Sequence, residues 1–154
     1  MKKNIWWETV GGGWFAISSE KKGGKAVADI LRQPIKDLAI KLLKLGGDSV
    51  FVPFYQHSEL CKQYELMTFN KVIWNMGSTR NSFKNSYNLW KNDPVLYRLA
   101  TGYALSEHHK SWWPQAWLYD TAGNIIETTV AATNYYGYVP DAEQLTYYKV
   151  LLDL

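Results

Sequence analysis

A strict alternation of side chains over residues 95–106 constrains the fold more than any other feature of this sequence. Bulky or β-branched side chains stand at every second position from Val95 to Leu105, and from position 98 onward Arg98 and three small residues stand between them. A period of two places these sets on opposite faces of an extended chain. The segment therefore predicts a long β-strand, and hence a sheet.

Other segments alternate between extended and helical patterns. Two β-rich runs, residues 5–10 and 14–18, flank Gly11-Gly12-Gly13 and predict a hairpin. Helical spacing of apolar residues predicts one helix from Lys25 and a second from Pro34 to Gly46. Further helices are predicted at 58–67, 82–90 and after Asp141, and further strands at 50–52, 72–74, 115–120, 125–130 and 135–139. Helices followed by a meandering sheet predict an α+β fold.

Length and composition predict a single domain, residues 1–154. Seventeen basic and 14 acidic residues give a net charge of +3, well short of a dedicated nucleic-acid-binding protein. No stretch approaches the roughly 18 apolar residues of a membrane helix, and no signal peptide follows the N-terminal lysines, so we expect a cytoplasmic protein. Cys61 is the only cysteine and is expected to be buried and inert, and no metal or other cofactor is expected. The sequence leaves the oligomeric state open.

Aromatic residues make up 16% of the chain, with eight tryptophans and eleven tyrosines. Each buried indole N–H needs a partner, so either the core uses unusually large residues or some tryptophans form a contact surface. Residues 108–114 are expected in a polar loop, which would expose the tryptophans within it. Such a surface suits a protein contact or base stacking. The expected binding residues are Arg80, His108, His109, Trp112, Trp113, Tyr135 and Tyr136.

Five short motifs follow one another in the last half of the chain. They are Ser82-Phe83-Lys84-Asn85-Ser86, Gly102-Tyr103-Ala104, Gln115-Ala116-Trp117, Ile126-Glu127-Thr128-Thr129 and Tyr135-Tyr136-Gly137. Together they resemble the pattern Cys-Tyr-x-Asn-Ala, Gly-Tyr-Ala, His-Ala-Trp, Asp-x-Thr and Tyr-Phe/Tyr-Gly of small bacterial and phage proteins with a papain-like, transglutaminase-like core. The similarity covers about residues 72–140. It implies a helix packed on an antiparallel sheet, here preceded by the N-terminal hairpin and helices.

The resemblance places Ser82, Gln115 and Glu127 at the positions of the family's catalytic cysteine, histidine and aspartate. Gln115 and Glu127 are twelve positions apart around a tight turn, so their strands are expected to pair and bring both side chains to one face. A serine hydroxyl is far less acidic than a thiol, and a glutamine does not exchange protons at neutral pH. We therefore expect a vestigial triad, with Asn81 or Ser82 as a helix N-cap and Gln115 as a replacement that retains shape.

The resemblance implies a catalytically degenerate protein that binds a macromolecule, in the first place a protein. Because similar proteins are frequent on phage genomes, interference with a host protein or defence complex is the expected role. One alternative is an active hydrolase or acyltransferase in which Ser82 works with Glu127 and a displaced His108 or His109. The other is a nucleic-acid-binding module, whose affinity would fall steeply with salt.

Overall fold

The structure, a computed structural model, describes residues 5–11, 13–19, 25–26, 33–53, 60–78 and 81–151. These residues form an α+β fold with three α-helices and a ten-stranded sheet. The helices are α1 (Gln33–Leu45), α2 (Ser82–Asn92) and α3 (Ala142–Leu151), with a short 3-10 helix at Leu60–Gln63. The strands are β1 (Trp6–Val10), β2 (Trp14–Ser18), β3 (Lys25–Ala26), β4 (Ser49–Pro53), β5 (Glu65–Leu66), β6 (Val72–Trp74), β7 (Arg98–Ser106), β8 (Ser111–Tyr119), β9 (Ile125–Glu127) and β10 (Ala132–Tyr138).

The sheet consists of two halves joined at one place. Its main path runs β3-β1-β2-β4-β8-β7-β10-β5, and β9 pairs with both β8 and β6. Strands β1–β4 form an N-terminal half-sheet, and β5–β10 form a C-terminal half-sheet. The two meet where β4 pairs in parallel with β8, Ser49 opposite Ser111 and Val50 opposite Trp112. The hydroxyls of Ser49 and Ser111 are 2.8 Å apart, which adds a side-chain hydrogen bond to this junction.

Helix α1 covers one face of the N-terminal half-sheet. Its apolar positions repeat with helical spacing, and Pro34 in the first turn fits a backbone that needs no N–H there. The buried residues of the helix are Ile35, Leu38, Ala39, Leu42 and Leu43. They belong to the same core as alternate residues of β2 and β4, namely Phe15, Ile17, Val50 and Val52. The opposite set of side chains on these strands is only half-buried.

The C-terminal half-sheet is buried on both faces. One apolar cluster joins Tyr87 of α2 to Leu118 of β8 and Ile126 of β9. A second cluster, on the other face, contains Trp117 and Tyr135. Because adjacent residues of β8 enter different clusters, both sets of its alternating side chains are buried over most of the strand.

Most of the predicted elements are confirmed, including the N-terminal hairpin, α1, α2 and the alternating strand, which begins at Arg98. The predicted helix over residues 58–67 is wrong in its described part. Leu60–Gln63 is a 3-10 helix, and Glu65–Leu66 forms β5 because it pairs with Gly137 and Tyr136 of β10. A helix from Lys25 is also wrong at its start, since Lys25–Ala26 pairs with β1, and residues 27–32 lie outside the described residues.

The loop predicted over residues 108–114 is shorter than expected, because β8 already begins at Ser111. Pro114 does not interrupt this strand. The backbone N of Ala116 points away from β7, toward Ser82, and Pro114, two residues earlier, has the same orientation. Its missing N–H therefore leaves the ladder with β7 intact. No helix of the described residues is long and apolar enough to cross a membrane.

Candidate functional site

Ser82 lies at the first residue of α2, where the helix meets β8. Its Oγ accepts a hydrogen bond of 3.2 Å from the backbone N–H of Ala116. The N-cap is Asn81, whose side chain makes no capping hydrogen bond, so Ser82 is not the cap. Strand β8 pairs with β4 at Trp112 and with β9 at Leu118, and the serine bonds the backbone between these two partners. Ser82 thus fixes the start of α2 to the strand that carries Gln115.

Gln115 and Glu127 lie on paired strands, as the twelve-residue separation predicts, and their side chains are in direct contact. The Nε2 of Gln115 is 2.7 Å from both carboxylate oxygens of Glu127. Both side chains are buried, Gln115 at 4% exposure and Glu127 at 0%. The residues at the three motif positions are therefore brought together: Gln115 and Glu127 by side-chain contact, and Ser82 through the backbone of the residue after Gln115.

Four further hydrogen bonds hold the Glu127 carboxylate. Tyr135 donates its hydroxyl to Oε2 at 2.7 Å. The backbone N–H groups of Thr128 and Thr129 donate to Oε1 at 3.1 and 3.3 Å, and the Thr129 hydroxyl donates to the same oxygen at 3.3 Å. Sequence reasoning missed this role of Tyr135. The signal that points to it is the order of the last two motifs, in which a tyrosine follows the carboxylate on the next strand.

The surroundings of this cluster favour the neutral, protonated forms of Glu127 and Tyr135. Burial raises the pKa of Glu127, and the hydrogen bonds from Tyr135, Thr129 and Thr128 partly oppose that rise. Burial, together with the nearby Glu127 charge, raises the pKa of Tyr135 far above its ordinary value. Tyr135 therefore remains a hydrogen-bond donor across the physiological pH range.

In the described part of the chain, this arrangement positions a carboxyl group, and no basic side chain is hydrogen-bonded to Ser82. A serine nucleophile needs a neighbour that accepts its proton. The carboxamide of Gln115 stands at the position that the resemblance gives to such a base, and it does not titrate. All the observed contacts of Glu127 fix its geometry, as expected of a buried polar network that stabilises a fold.

Two glycines allow the strands to approach closely beside Gln115. In the sheet register Gln115 is opposite Gly102, and Gly102 is opposite Gly137. A Cβ atom on Gly102 would lie 2.3 Å from the carbonyl oxygen of Tyr136, and one on Gly137 would lie 2.2 Å from that of Thr101. The Gly-Tyr-Ala and Tyr-Tyr-Gly motifs thus each supply a glycine to one row of the sheet.

Three residues expected at an exposed aromatic rim are buried instead. Trp112 is fully buried in β8, and its indole N–H donates to the carbonyl of Gly46 at 2.9 Å. Tyr135 is fully buried against Glu127, and Tyr136 is 8% exposed, opposite Leu66 of β5. The expectation was wrong because pairing of β8 and β10 within the sheet turns these side chains inward. Buried there, Trp112 and Tyr135 each keep a hydrogen bond for their polar atom.

The remaining expected site residues are dispersed. His108 and His109 are exposed in the turn before β8. The five residue steps from Ser111 to Ala116 span roughly 16 Å of extended chain, so the turn is far from Ser82. The structure therefore does not bring either histidine to the serine. Arg80 lies outside the described residues.

Trp113, an expected binding residue, is exposed and belongs to an aromatic surface whose other two members the sequence did not indicate. It is 36% exposed and stacks on Phe51 of β4, with ring centroids 3.9 Å apart and planes at 10°. Trp14 of β2 contacts Trp113 edge-on at 6.0 Å. We call Trp14, Phe51 and Trp113 the aromatic surface. It lies on the face of the N-terminal half-sheet opposite α1, where the side chains are half-buried.

Cys61 is buried, as expected, within the 3-10 helix. In the described part of the chain, no three His, Cys, Asp or Glu side chains are grouped so that they could hold a metal ion. No family model, curated protein or solved structure matches this chain.

Proposed function

We propose that this protein is a catalytically inactive, papain-like scaffold that binds a protein partner through the aromatic surface. The observation that carries the proposal is the stacked pair of Trp113 and Phe51, with Trp14 beside it, on a half-buried sheet face. By resemblance to phage proteins, the proposed partner is a host protein or a defence complex.

The buried cluster supports the inactive part of this proposal. Gln115 and Tyr135 use their donors on Glu127, and Ser82 accepts a backbone hydrogen bond. None of these groups accepts a proton from a serine at neutral pH. The cluster therefore serves to hold α2, β8 and β9 together.

The aromatic surface supports the binding part. Tryptophan is enriched at the energetic centres of protein interfaces, because its large rigid ring buries much area at little entropic expense. The three rings come from β2, β4 and β8, so the sheet fixes their relative positions before any partner arrives. Preorganised rings of this kind favour affinity.

Quantitative affinity capture with two variants tests the proposal. Trp113→Ala removes the central ring, and Trp74→Ala, at a tryptophan 49% exposed on β6, is the matched control. We expect a captured protein whose affinity, measured afterwards with the purified pair, falls at least about 30-fold in Trp113→Ala, as for a hot-spot residue. Trp74→Ala should retain the wild-type affinity within about twofold.

Three outcomes would overturn the proposal. If a partner binds Trp113→Ala as tightly as wild type, its binding site lies outside the aromatic surface. A nucleic-acid partner whose affinity falls steeply with salt would replace the protein partner. A fluorophosphonate probe that labels wild type but not Ser82→Ala would show an activated serine and refute catalytic inactivity.

A further inference from the structure

A small pocket adjoins the aromatic surface on the same sheet face. Its volume is about 150 Å³, and its walls include Trp6, Glu8, Asp48 and Phe51. Phe51 is shared, since one side of its ring stacks on Trp113. The pocket is thus continuous with the surface proposed to bind a partner.

The sheet register explains why a hollow forms here. Two rows cross β1, β2 and β4: Trp6 is opposite Ser18, which is opposite Ser49, and Glu8 is opposite Ala16, which is opposite Phe51. The central strand contributes only the small Ala16 and Ser18 to the pocket. The larger side chains of the flanking strands rise on both sides, leaving room above β2.

The walls combine aromatic rings with carboxylates. Glu8 and Asp48 are exposed, and neither forms an ion pair with another described residue. Trp6 and Phe51 are half-buried beside them. Aromatic faces attract a cation by their quadrupole, and carboxylates attract it by charge, so all four groups favour the same kind of occupant.

We propose that this pocket receives an arginine side chain of the protein partner, with the guanidinium between Trp6 and Phe51 and its N–H groups directed at Glu8 and Asp48. Arginine fits better than lysine because a planar guanidinium stacks on a ring while donating in its own plane. The inference rests on the proposed function, since it specifies the partner of the aromatic surface, and charge complementarity is what selects a basic segment.

Titration of the full chain with N-acetyl-arginine amide tests the pocket without a known partner. Indole N–H resonances would be followed by NMR, and Trp6→Phe would identify the Trp6 signal. We expect saturable shifts of that signal in the millimolar range, as for a single side chain. The citrulline analogue, which has the same shape without the charge, should bind at least about fivefold more weakly.

Substitutions distinguish this pocket from the rest of the surface. Glu8→Gln with Asp48→Asn should weaken arginine binding at least about fivefold, and Glu107→Gln, at an exposed acid elsewhere, should leave it unchanged. Trp113→Ala tests the aromatic surface separately, since it should weaken binding of the protein partner at least about 30-fold. If arginine binds as expected but Trp113→Ala binds the partner as tightly as wild type, the aromatic surface is not the partner's binding site. The proposed arginine pocket is then still supported.

The proposal is overturned if citrulline binds as well as arginine, or if the Glu8 and Asp48 substitutions have no effect. It is also overturned if sedimentation shows self-association that the same two substitutions abolish. In that case a basic side chain of a second copy of this chain occupies the pocket.

Discussion

The buried interiors of the two half-sheets are stabilised by different interactions. Under α1 the core is aliphatic and aromatic, with Leu42, Val50 and Ile17 fully excluded from solvent. In the C-terminal half-sheet a carboxyl group is equally excluded, and it is held by six hydrogen bonds. Apolar burial stabilises in proportion to area, whereas a buried carboxyl stabilises only while its donors remain in place. The stability of the C-terminal half-sheet therefore depends more on individual hydrogen-bond donors.

The largest expected effect is that of Gly137→Ala in the C-terminal half-sheet. The new Cβ would meet backbone atoms of Thr101 and Gly102, which cannot rotate away, so β7 and β10 must separate. We expect a loss of about 4 kcal/mol or more in the free energy of unfolding, measured by urea denaturation.

The matched control is Gly11→Ala, because nothing lies within 4 Å of a Cβ placed there. Its stability should stay within about 0.5 kcal/mol of wild type. Equal stability of Gly137→Ala and Gly11→Ala would disprove the close approach of the strands.

Leu42→Ala probes the apolar half. Deleting a fully buried leucine leaves a cavity, and we expect a loss of about 3 kcal/mol in the free energy of unfolding. The loss should be the same at pH 5 and pH 8, since the α1 core around Leu42 is apolar. Leu45→Ala, at a leucine 41% exposed on the same helix, should cost less than about 1 kcal/mol. If the stability difference between Leu42→Ala and wild type changes with pH, the core under α1 is not purely apolar in its energetics, and the contrast with the Glu127 cluster is refuted.

Tyr135→Phe removes one donor from Glu127 while keeping the ring. The carboxyl oxygen loses its 2.7 Å hydrogen bond, so we expect a loss of about 2 kcal/mol in the free energy of unfolding. Tyr97→Phe, at a half-buried tyrosine outside the cluster, serves as the control and should change stability by less than about 0.5 kcal/mol. If both variants lose the same amount, the Tyr135 hydroxyl does not support the carboxyl.

The pH dependence should show the smallest effect. Because folding raises the pKa of Glu127 from its ordinary 4.5, the folded state favours the protonated form. Its contribution is complete below pH 4.5 and is lost as the pH rises through the raised pKa. The loss is about 1.4 kcal/mol for each unit by which the pKa is raised. Urea denaturation between pH 4 and pH 8 should show this decrease in wild type and not in Glu127→Gln, whose side chain does not titrate.

Asp120 supplies the control for the pH experiment. The side chain of Asn124 and nearby backbone N–H groups lower the pKa of Asp120, so its contribution is lost as the pH falls. An Asp120→Asn background, used both with native Glu127 and with the Glu127→Gln substitution, removes this opposite trend. If the pH profile in that background is the same with and without Glu127→Gln, the raised pKa of Glu127 is refuted.

Local patterns predicted the parts of the fold that depend on neighbouring residues. The separation of Gln115 and Glu127 around a short turn was enough to predict that both side chains share one face, and the structure joins them by 2.7 Å hydrogen bonds. The contact of Tyr135 with Glu127 could not be predicted from local spacing. The inward orientation of this tyrosine depends on the pairing of β10 with β7, where Tyr135 stands opposite Ala104. No spacing within β10 specifies that register.

The aromatic surface was still less predictable. Phe51 and Trp113 belong to strands that are far apart in the sequence and pair in parallel, a contact that no hairpin signal announces. Pro114 favoured a loop at Trp113, because a proline is disfavoured inside strands whose N–H groups are needed. In the structure, the backbone nitrogen of Pro114 lies on the side of β8 away from β7, so the strand continues through it.

The junction between β4 and β8 has a kinetic consequence. It joins residues 62 positions apart, so the chain must close a long loop before the contact is made, and contacts of such separation form slowly. Phe51 and Trp113 come from opposite sides of this junction. A newly made chain whose halves have each folded, but have not yet docked, therefore presents no complete aromatic surface. A partner that requires the stacked rings would select only molecules that have finished folding.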